Sequence, residues 1–546
     1  MYYPLFNRIK LIVLLKYSIF GNKIYYDTIS MKKAILFLFI IFCSKQIQSQ
    51  EALINFKLHK SEVFKEKKES VLKTIFKDNS NQLFILRTFN NEKSLSIDIF
   101  DKDLKQINSF EHKIEKRHRV AGGFLNDNII GFIEYYRNKK EKKIEAYLYT
   151  SIKDVLEFSK KKIFEVTTDR YPSFFESLFS GARLDRDFEG NISFSKSGKY
   201  NVFNIDSSDK KTEHHSILVF DENFNKLWDE EFELPYEDKR FKLQDVIVSD
   251  SGEVFVLGKF YPKKRKKKKK GGNYHYELFK ITENNVSSTK MLVENHFVAT
   301  LELDFTPEDK LSCIGFYSNR NENRYKGVCS FVIDPESIKV ESSNFSPFTE
   351  QFLTDKYGKS KDKELRNIKF KNISFPDDGG IIITAEEFFI TTTYVHNNYG
   401  GYTKISYNFD DIITLKLNDE GKLLWARNIN KAQTSGYFSD PLMSFGTAQY
   451  KNSEYLILNA HKKMGELSGG RIKFRESFLW KATKKNTNLY IVKFDEDGNY
   501  LYKTILSNKE EETPFNCRYI EQVSENELIL YGQRKKKRQF LKITIN

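Results

Sequence analysis

The sequence predicts an all-β chain assembled from one repeated four-stranded unit. Three observations carry that expectation: the residue usage, a hairpin pattern that returns eight times, and a second hairpin pattern that follows several of those copies. The 546 residues include 48 Phe and 30 Tyr but only 10 Pro. Aromatic enrichment favours strands, and a hydrophobic content of 40% suffices for a core, which excludes wholesale disorder. So few prolines argue against a Pro-rich linker dividing the chain.

The first pattern is an alternating strand, a tight polar turn and a more continuous apolar strand. It reads TIFKDNSNQLFILRTF at 74–89, GFLNDNIIGFIEYY at 123–136, ISFSKSGKYNVFNID at 192–206 and VIVSDSGEVFVLGKF at 246–260. It returns as LDFTPEDKLSCIGFY at 303–317, ISFPDDGGIIITAEE at 373–387, TAQYKNSEYLILNAH at 447–461 and IEQVSENELILYGQR at 520–534. The turns hold Ser, Asp, Asn and Gly, which tolerate left-handed or side-chain-bonded conformations. The second pattern appears as ILVFDENFNKLWDEEFEL at 217–234, ITLKLNDEGKLLWARNI at 413–429 and YIVKFDEDGNYLYKTI at 490–505, with a weaker form, SIDIFDKDLKQINSF, at 96–110. Trp228, Trp425 and Tyr502 stand at matching positions after Asp221, Asn418 and Asp495. Each repeat thus supplies four strands.

Four-stranded units repeated along a chain form the blades of a β-propeller. Eight blades are expected, or seven if one copy is not a true blade. The copies start 49 to 74 residues apart, beyond the roughly 40–50 residues of a compact blade, so inserted loops are expected. The last copy ends in QFLKITIN without a fourth strand, and ALINFKLHKSEVF at 52–64 can supply that strand, closing the ring and removing a sheet edge. The DEGKLLW stretch at 419–425 resembles the outer-strand repeat of propellers related to pyrroloquinoline-quinone dehydrogenases and to outer-membrane assembly lipoproteins. That resemblance implies fold far more than function.

From Met31 the chain reads MKKAILFLFIIFCSKQIQSQE, a basic start, an apolar run from Ala34 to Cys43 and a polar stretch. This is the layout of a secretory signal peptide, and the run is too short for the roughly 20 residues of a membrane-spanning helix. Residues 1–30 are then an upstream extension, with Met1 or Met31 as the start. Residues 31–49 form the leader, and 50–546 the propeller. Cleavage is expected near Ser49. Lipidation at Cys43 is disfavoured because Phe42, not a small residue, precedes it. No transmembrane span is expected in the mature chain, which is read as an exported monomer of the periplasm, outer-membrane surface or extracellular space.

A formal charge of +15 points to an anionic partner. The densest run is Lys263, Lys264, Arg265, Lys266, Lys267, Lys268, Lys269 and Lys270, at the tip joining the second and third strands of its repeat. RNKKEKK at 137–143 and Arg534, Lys535, Lys536, Lys537 and Arg538 occupy corresponding tips, as do DSSDKKTEHH at 206–215 and the long segment 461–485. These tips should share one rim, whereas the first turns are short and acidic or neutral. A charge run at a hairpin tip also serves solubility alone. Export disfavours nucleic acid and leaves lipopolysaccharide, acidic glycans, lipid headgroups or an acidic protein as partners. The insertion FFITTTYVHNNYGGYTKISYNF at 388–409, with Tyr394, Tyr399 and Tyr402, is similar to adaptable binding loops rich in Tyr and small polar residues. RYPSFFESLFSGARL at 170–184 and SPFTEQFLTDKYGKS at 346–360 read as short amphipathic helices on the same rim, for packing or for partner capture.

Catalytic motifs are sparse. His214 and His215 are adjacent, so in a strand they face opposite ways and form no metal set; Glu386 and Glu387 fail as a dyad likewise unless a bulge intervenes. No metal or other cofactor is expected. Cys313 and Cys329 flank SNRNEN symmetrically, so a hairpin centred on Asn321 would permit a cross-strand disulfide, with two buried thiols as the alternative. The expected function is an envelope binding or scaffolding propeller. The competing expectation is a glycan-active or quinoprotein-like enzyme with its site around the central channel.

Overall fold

The computed structural model describes residues 54–546 except 67–68, 90–91, 169–190, 208–211, 235–239, 263–273, 292, 294–295, 320–323, 359–364, 366, 398–399, 437–439, 464, 468–470 and 476–482. The leader, the Lys263–Lys270 run, Tyr399 and the 170–184 segment therefore lie outside the described residues. Residues Phe56–Asn546 form one compact unit.

Eight sheets follow one another along this unit, each built on four antiparallel strands. The eight predicted hairpins supply the first two strands of the eight blades, from Ser70–Lys77 with Leu83–Phe89 in blade 1 to Phe515–Ser524 with Glu527–Arg534 in blade 8. The ring is an eight-bladed β-propeller. Its last blade is completed by Phe56–Lys60, which pairs antiparallel with Lys537–Ile545. The predicted closing strand is where the sequence placed it.

The strand pattern explains the burial. Second and third strands are apolar on both faces because each is covered by a neighbouring blade; Leu83–Phe89 and Ser94–Phe100 are almost wholly buried. The fourth strand, Gln106–Lys113, is largely exposed. Apolar clusters bridge successive blades, joining Leu86 to Phe132, Phe164 to Phe203, Val219 to Val256 and Leu257 to Leu311. Others join Phe316 to Ile383 and Trp425 to Phe494, and the cluster of Ile75, Phe100, Tyr531 and Phe540 couples blade 1 to blade 8. The outer turns are held by their leading Asp: Asp101, Asp221 and Asp495 each accept two backbone N–H groups within the turn.

One regularity was not expected. The innermost strands of blades 1, 2, 4, 5 and 6 each carry a one-residue bulge, at Lys73, Ala121, Gln244, Ala299 and Lys371. Blade 8 carries a wider one over Cys517–Tyr519. A bulge sharpens twist and re-aims the extra side chain.

The proposed disulfide is absent: Cys313 and Cys329 are free and buried. The hairpin register pairs Cys313 with Phe331 and Cys329 with Gly315, so the cysteines are diagonal rather than opposite. Diagonal neighbours stand roughly 7–8 Å apart, beyond disulfide reach.

Candidate functional site

Strand order puts every hairpin between second and third strands, together with the connections between blades, on one face. The turns between first and second strands lie on the other. On the hairpin face Lys139, Lys140 and Lys142 of blade 2 and Arg534, Lys535, Lys536 and Lys537 of blade 8 are exposed. Arg538 is a correction. The blade 8 turn is tight, with Arg534 paired to Lys537, so Arg538 is drawn into the sheet opposite Gln533 and is fully buried. It belongs to the core and cannot be a surface contact. Lys537, though exposed, is ion-paired with Glu512.

Blade 6 is the most elaborated. Its second, third and fourth strands, Ile381–Asn397, Gly400–Leu417 and Leu423–Ser435, run well past the length of those in other blades. Tyr394 stands on this extension, 68% exposed, and its ring lies across Gly401, where a side chain would collide with it. Tyr402 pairs with Val395 through the backbone. The blade 7 insertion contributes Arg471–Arg475, which adds to blade 6 in parallel with Asn430–Ala432. The predicted helix of 346–360 is Glu350–Tyr357, capped by Thr349 and by Gly358 in the left-handed region. It packs rather than projects: Phe352 is buried and stacks on Phe348 at 4.4 Å.

Around these additions lies a buried polar network that sequence reading missed. Lys431 donates to Glu386 Oε1 at 2.7 Å, to the Phe409 carbonyl at 2.8 Å and to Gln433 Oε1 at 3.0 Å. Ser444 donates to the other Glu386 oxygen at 2.7 Å. A bulge does fall between Glu386 and Phe388, but the two carboxylates part company: Glu387 pairs with Lys356 at 2.8 Å, which also bridges Asp411 at 2.7 Å. Burial acts to raise the Glu386 carboxyl, and the charges of Lys431 and Lys371 overcome it, so the group sits below the ordinary range. These are structural ion pairs; neither carboxylate is placed as an acid–base partner of the other.

Beside this network, cations gather. Lys371 is the bulged residue of blade 6 and lies 3.9 Å from Glu386 Oε2, an oxygen that already accepts from Ser444. Lys369, exposed, stands 5.7 Å from the Phe388 ring centre. Arg518, aimed out of the wide blade 8 bulge, covers Phe409 at 4.8 Å. Phe388 and Phe409 are themselves 5.1 Å apart. Burial brings the Lys371 amine down to about 8, opposed by Glu386 and reinforced by Arg518, Lys369 and Lys431.

The turn face differs in kind. Clefts of about 500 Å³ and 230 Å³ open there at the boundaries of blades 2 with 3 and 8 with 1, the larger lined by Phe124, Ile129, Ile152 and Phe224. His215 is buried between Asn204 and Glu213, whereas His214 faces Glu233 at 3.7 Å, as alternation requires. A His112–Glu134–His118 bridge, with Glu134 and His118 buried and both contacts at 2.9 Å, links blades 1 and 2. Among the described residues no group of three or more His, Cys, Asp or Glu is placed to hold a metal ion, and no helix is long and apolar enough to cross a membrane.

No protein-family model matches this sequence, and no curated protein does. Solved structures are similar in fold. The β-propeller domain of the Trilobed protease from Pyrococcus furiosus is 11% identical, with 68% of this chain and 94% of that one covered and a TM-score of 0.33. Prolyl oligopeptidase B from Galerina marginata is 7% identical over 85% of this chain, with a TM-score of 0.38. The chain spans about half, 55%, of the length of that oligopeptidase. Kuenenia stuttgartiensis hydrazine synthase is 11% identical, with 50% of this chain and 83% of that one covered and a TM-score of 0.25.

Proposed function

We propose that the protein is an exported propeller of the cell envelope that binds or scaffolds an anionic partner through its hairpin face. The observation that carries this reading is the exposure of Lys139, Lys140, Lys142 and Arg534–Lys537 at tips that strand order assigns to one face. Opposite them the turns are rich in Asp and Glu, so charge is separated across the ring and steers an anion to one side. The Lys263–Lys270 run, outside the described residues, is expected from the sequence to belong to the same set of tips. The leader-like segment from Met31 supports export. Lipopolysaccharide and acidic lipid surfaces suit that compartment.

The test is binding of residues 51–546 to lipopolysaccharide and to anionic phospholipid vesicles across a salt series. The comparison protein carries neutral residues at Lys263–Lys270 and Arg534–Lys537, with Arg538 retained. Salt-sensitive binding lost in that variant is the expected result. Equal binding by both proteins would reduce the tips to solubility devices.

A further inference from the structure

We propose that the cleft between blades 2 and 3 on the turn face binds an indole-type aromatic ring that carries a cation. Such a ring is offered by a tryptophan side chain beside a basic residue, or by a free aromatic amine. The site lies apart from the hairpin face, is opposite to it in charge, and does not depend on the reading given for that face.

The cleft originates in one row of small side chains. Gly131, Thr150 and Ser159 stand opposite one another across the second, third and fourth strands of blade 2. By strand alternation they face blade 3, as Ile133 and Leu148 do. The corresponding row is Val202, Val219 and Trp228 in blade 3, and Ile382, Lys416 and Trp425 in blade 6. Trp425 shows what a ring does at this place. It stacks on Phe494 at 6.0 Å and donates its indole N–H to the Glu496 carbonyl, in the outer turn of the next blade, at 2.8 Å. With serine at that place in blade 2, no ring crosses to blade 3. The Glu222 carbonyl, which matches that of Glu496, receives no donor from the described residues. A space of about 500 Å³ stays open, within the roughly 300–1,000 Å³ of ligand pockets.

The walls suit the ring that is missing. Phe224 takes the turn position held by Gly498 beneath Trp425, and its ring packs on Phe124 at 4.7 Å, so both line the cleft without filling it. Phe124 in turn lies over Gly131, where a Cβ would stand 2.3 Å from the ring. Ile129 and Ile152, paired across their strands, are exposed beside them. Two rings and two exposed aliphatic side chains favour a flat apolar ligand.

The rim sets the charge. Glu157 of blade 2 and Glu222 of blade 3 line the cleft from its two sides, are exposed, and have no ion-pair partner. Lys161, the one cation among the described lining residues, donates to Asn225 Oδ1 at 3.2 Å. A carboxylate on either side of an apolar slot favours a positive group next to the ring and disfavours a negative one.

The experiment is calorimetric titration of residues 51–546 with tryptamine, with indole-3-acetate and with the capped peptide Lys-Trp-Lys. Saturable binding of tryptamine or the peptide is expected, with indole-3-acetate weaker by roughly tenfold or more. Glu157→Gln combined with Glu222→Gln should remove that preference and keep the ring bound. Ser159→Trp supplies the ring from within, as Trp425 does, and should abolish binding in a protein with a native melting transition. Ile152→Lys, at an exposed position that folding does not depend on, places a cation at the mouth and should weaken tryptamine roughly tenfold. Binding of the peptide without tryptamine would assign the ligand to a polypeptide, and the reverse to a free amine. Natively melting wild-type protein with no affinity for either would overturn the site, as would unchanged binding by both Ser159→Trp and Ile152→Lys. Equal affinity for tryptamine and indole-3-acetate would overturn the charge preference. The neutral-tip variant should bind tryptamine as the wild type does, so failure of this site and failure of the hairpin face are separate results.

Discussion

Arg538, in the last strand of the chain, holds Glu66, in the segment that leads into the first blade, at 2.9 Å from Nε to Oε2. The pair is buried, and it is shared. Glu66 also accepts from Arg87 and from Ser70, Arg87 is paired to Asp98, and Ser70 meets the Tyr531 hydroxyl at 2.9 Å. Blade 8, blade 1 and the closing segment therefore meet on one charged cluster. Its desolvation is costly: burial pushes the Glu66 carboxyl above its ordinary range despite Arg87 and Arg538. What the cluster supplies is a tie between the segment that follows the closing strand and both flanking blades, through Glu66 bound to Arg538 and to Arg87.

Removing one member should therefore open the ring rather than merely soften it. Arg538→Met is expected to lower stability by about 3–5 kcal/mol, the usual cost of stranding a buried charge. The same protein should be cut readily by protease within 51–69 under native conditions. Lys536→Met, two residues away and exposed, should change stability by no more than about 0.5 kcal/mol. Equal behaviour of the two variants would show that the clasp does not hold the ring.

Glu454 gives a pH dependence of defined sign. It is fully buried at the boundary of blades 6 and 7, with Ser374 donating to Oε2 at 3.0 Å and Oε1 unpartnered. Burial raises its carboxyl to about 8. Between the ordinary value of 4.5 and 8 the folded chain keeps a proton that the unfolded chain has lost. Stability must then fall as pH rises through that window, by roughly 1 kcal/mol per unit from this group. Glu454→Gln keeps the shape and removes the titration. Denaturant melts from pH 5 to pH 8 should show a flatter slope for the variant, and greater stability than wild type at the upper end.

The blade plan was legible because hairpins are local. A turn of Asp, Asn, Ser and Gly between an alternating and a continuous apolar strand marks itself within fifteen residues, and all eight predicted copies became first and second strands. Closure by 52–64 was legible for a related reason, since a last repeat one strand short must be completed from elsewhere. The interior polar network was not. Lys431 meets Glu386 across 45 residues, and Arg518 reaches Phe409 only because a bulge frees it. A bulge shifts the alternation of its strand by a single residue, a change too small to mark itself in an innermost strand of seven to ten residues. Arg538 was misplaced for a simpler reason: a run of five basic residues looks like a solvated tip until the turn is counted. With only Lys535 and Lys536 between the paired Arg534 and Lys537, the fifth member falls inside the sheet.

The cysteines should behave as inert core residues. Cys313, Cys329 and Cys517 are each fully buried, and burial pushes their thiols well above the usual range. A thiol reagent should label none of them in the native protein and all three after denaturation. Reductant should leave the melting temperature unchanged. A shift on reduction, or a mass lower by two hydrogens for the purified protein, would restore the cross-link.

Gly315 tests how the innermost bulges are accommodated. At Ala299 the bulge turns a carbonyl out of the blade 5 ladder, and three donors take it: Tyr274 at 2.8 Å, Lys259 at 3.2 Å and Tyr276 at 3.3 Å. The displaced backbone then presses on the second strand, where a Cβ at Gly315 would stand 1.8 Å from the Thr300 carbonyl oxygen. Neither partner is a flexible side chain, so the clash has to be relieved by moving a strand. Gly315→Ala is expected to cost about 1–3 kcal/mol, in the range of an overpacked core. Gly436→Ala, where a Cβ meets nothing within 4 Å, serves as the control and should be neutral. The donors on Ala299 provide a second reading of the same event. Lys259 is partly buried and held near 8 by desolvation, reinforced by Lys242 and opposed by Glu302. If Gly315→Ala pushes the bulge aside, its amine should become reactive to a lysine-directed reagent at neutral pH while the rest of the labelling pattern stays as in the wild type. An unchanged pattern together with unchanged stability would mean that the bulge yields freely and that glycine is not required there.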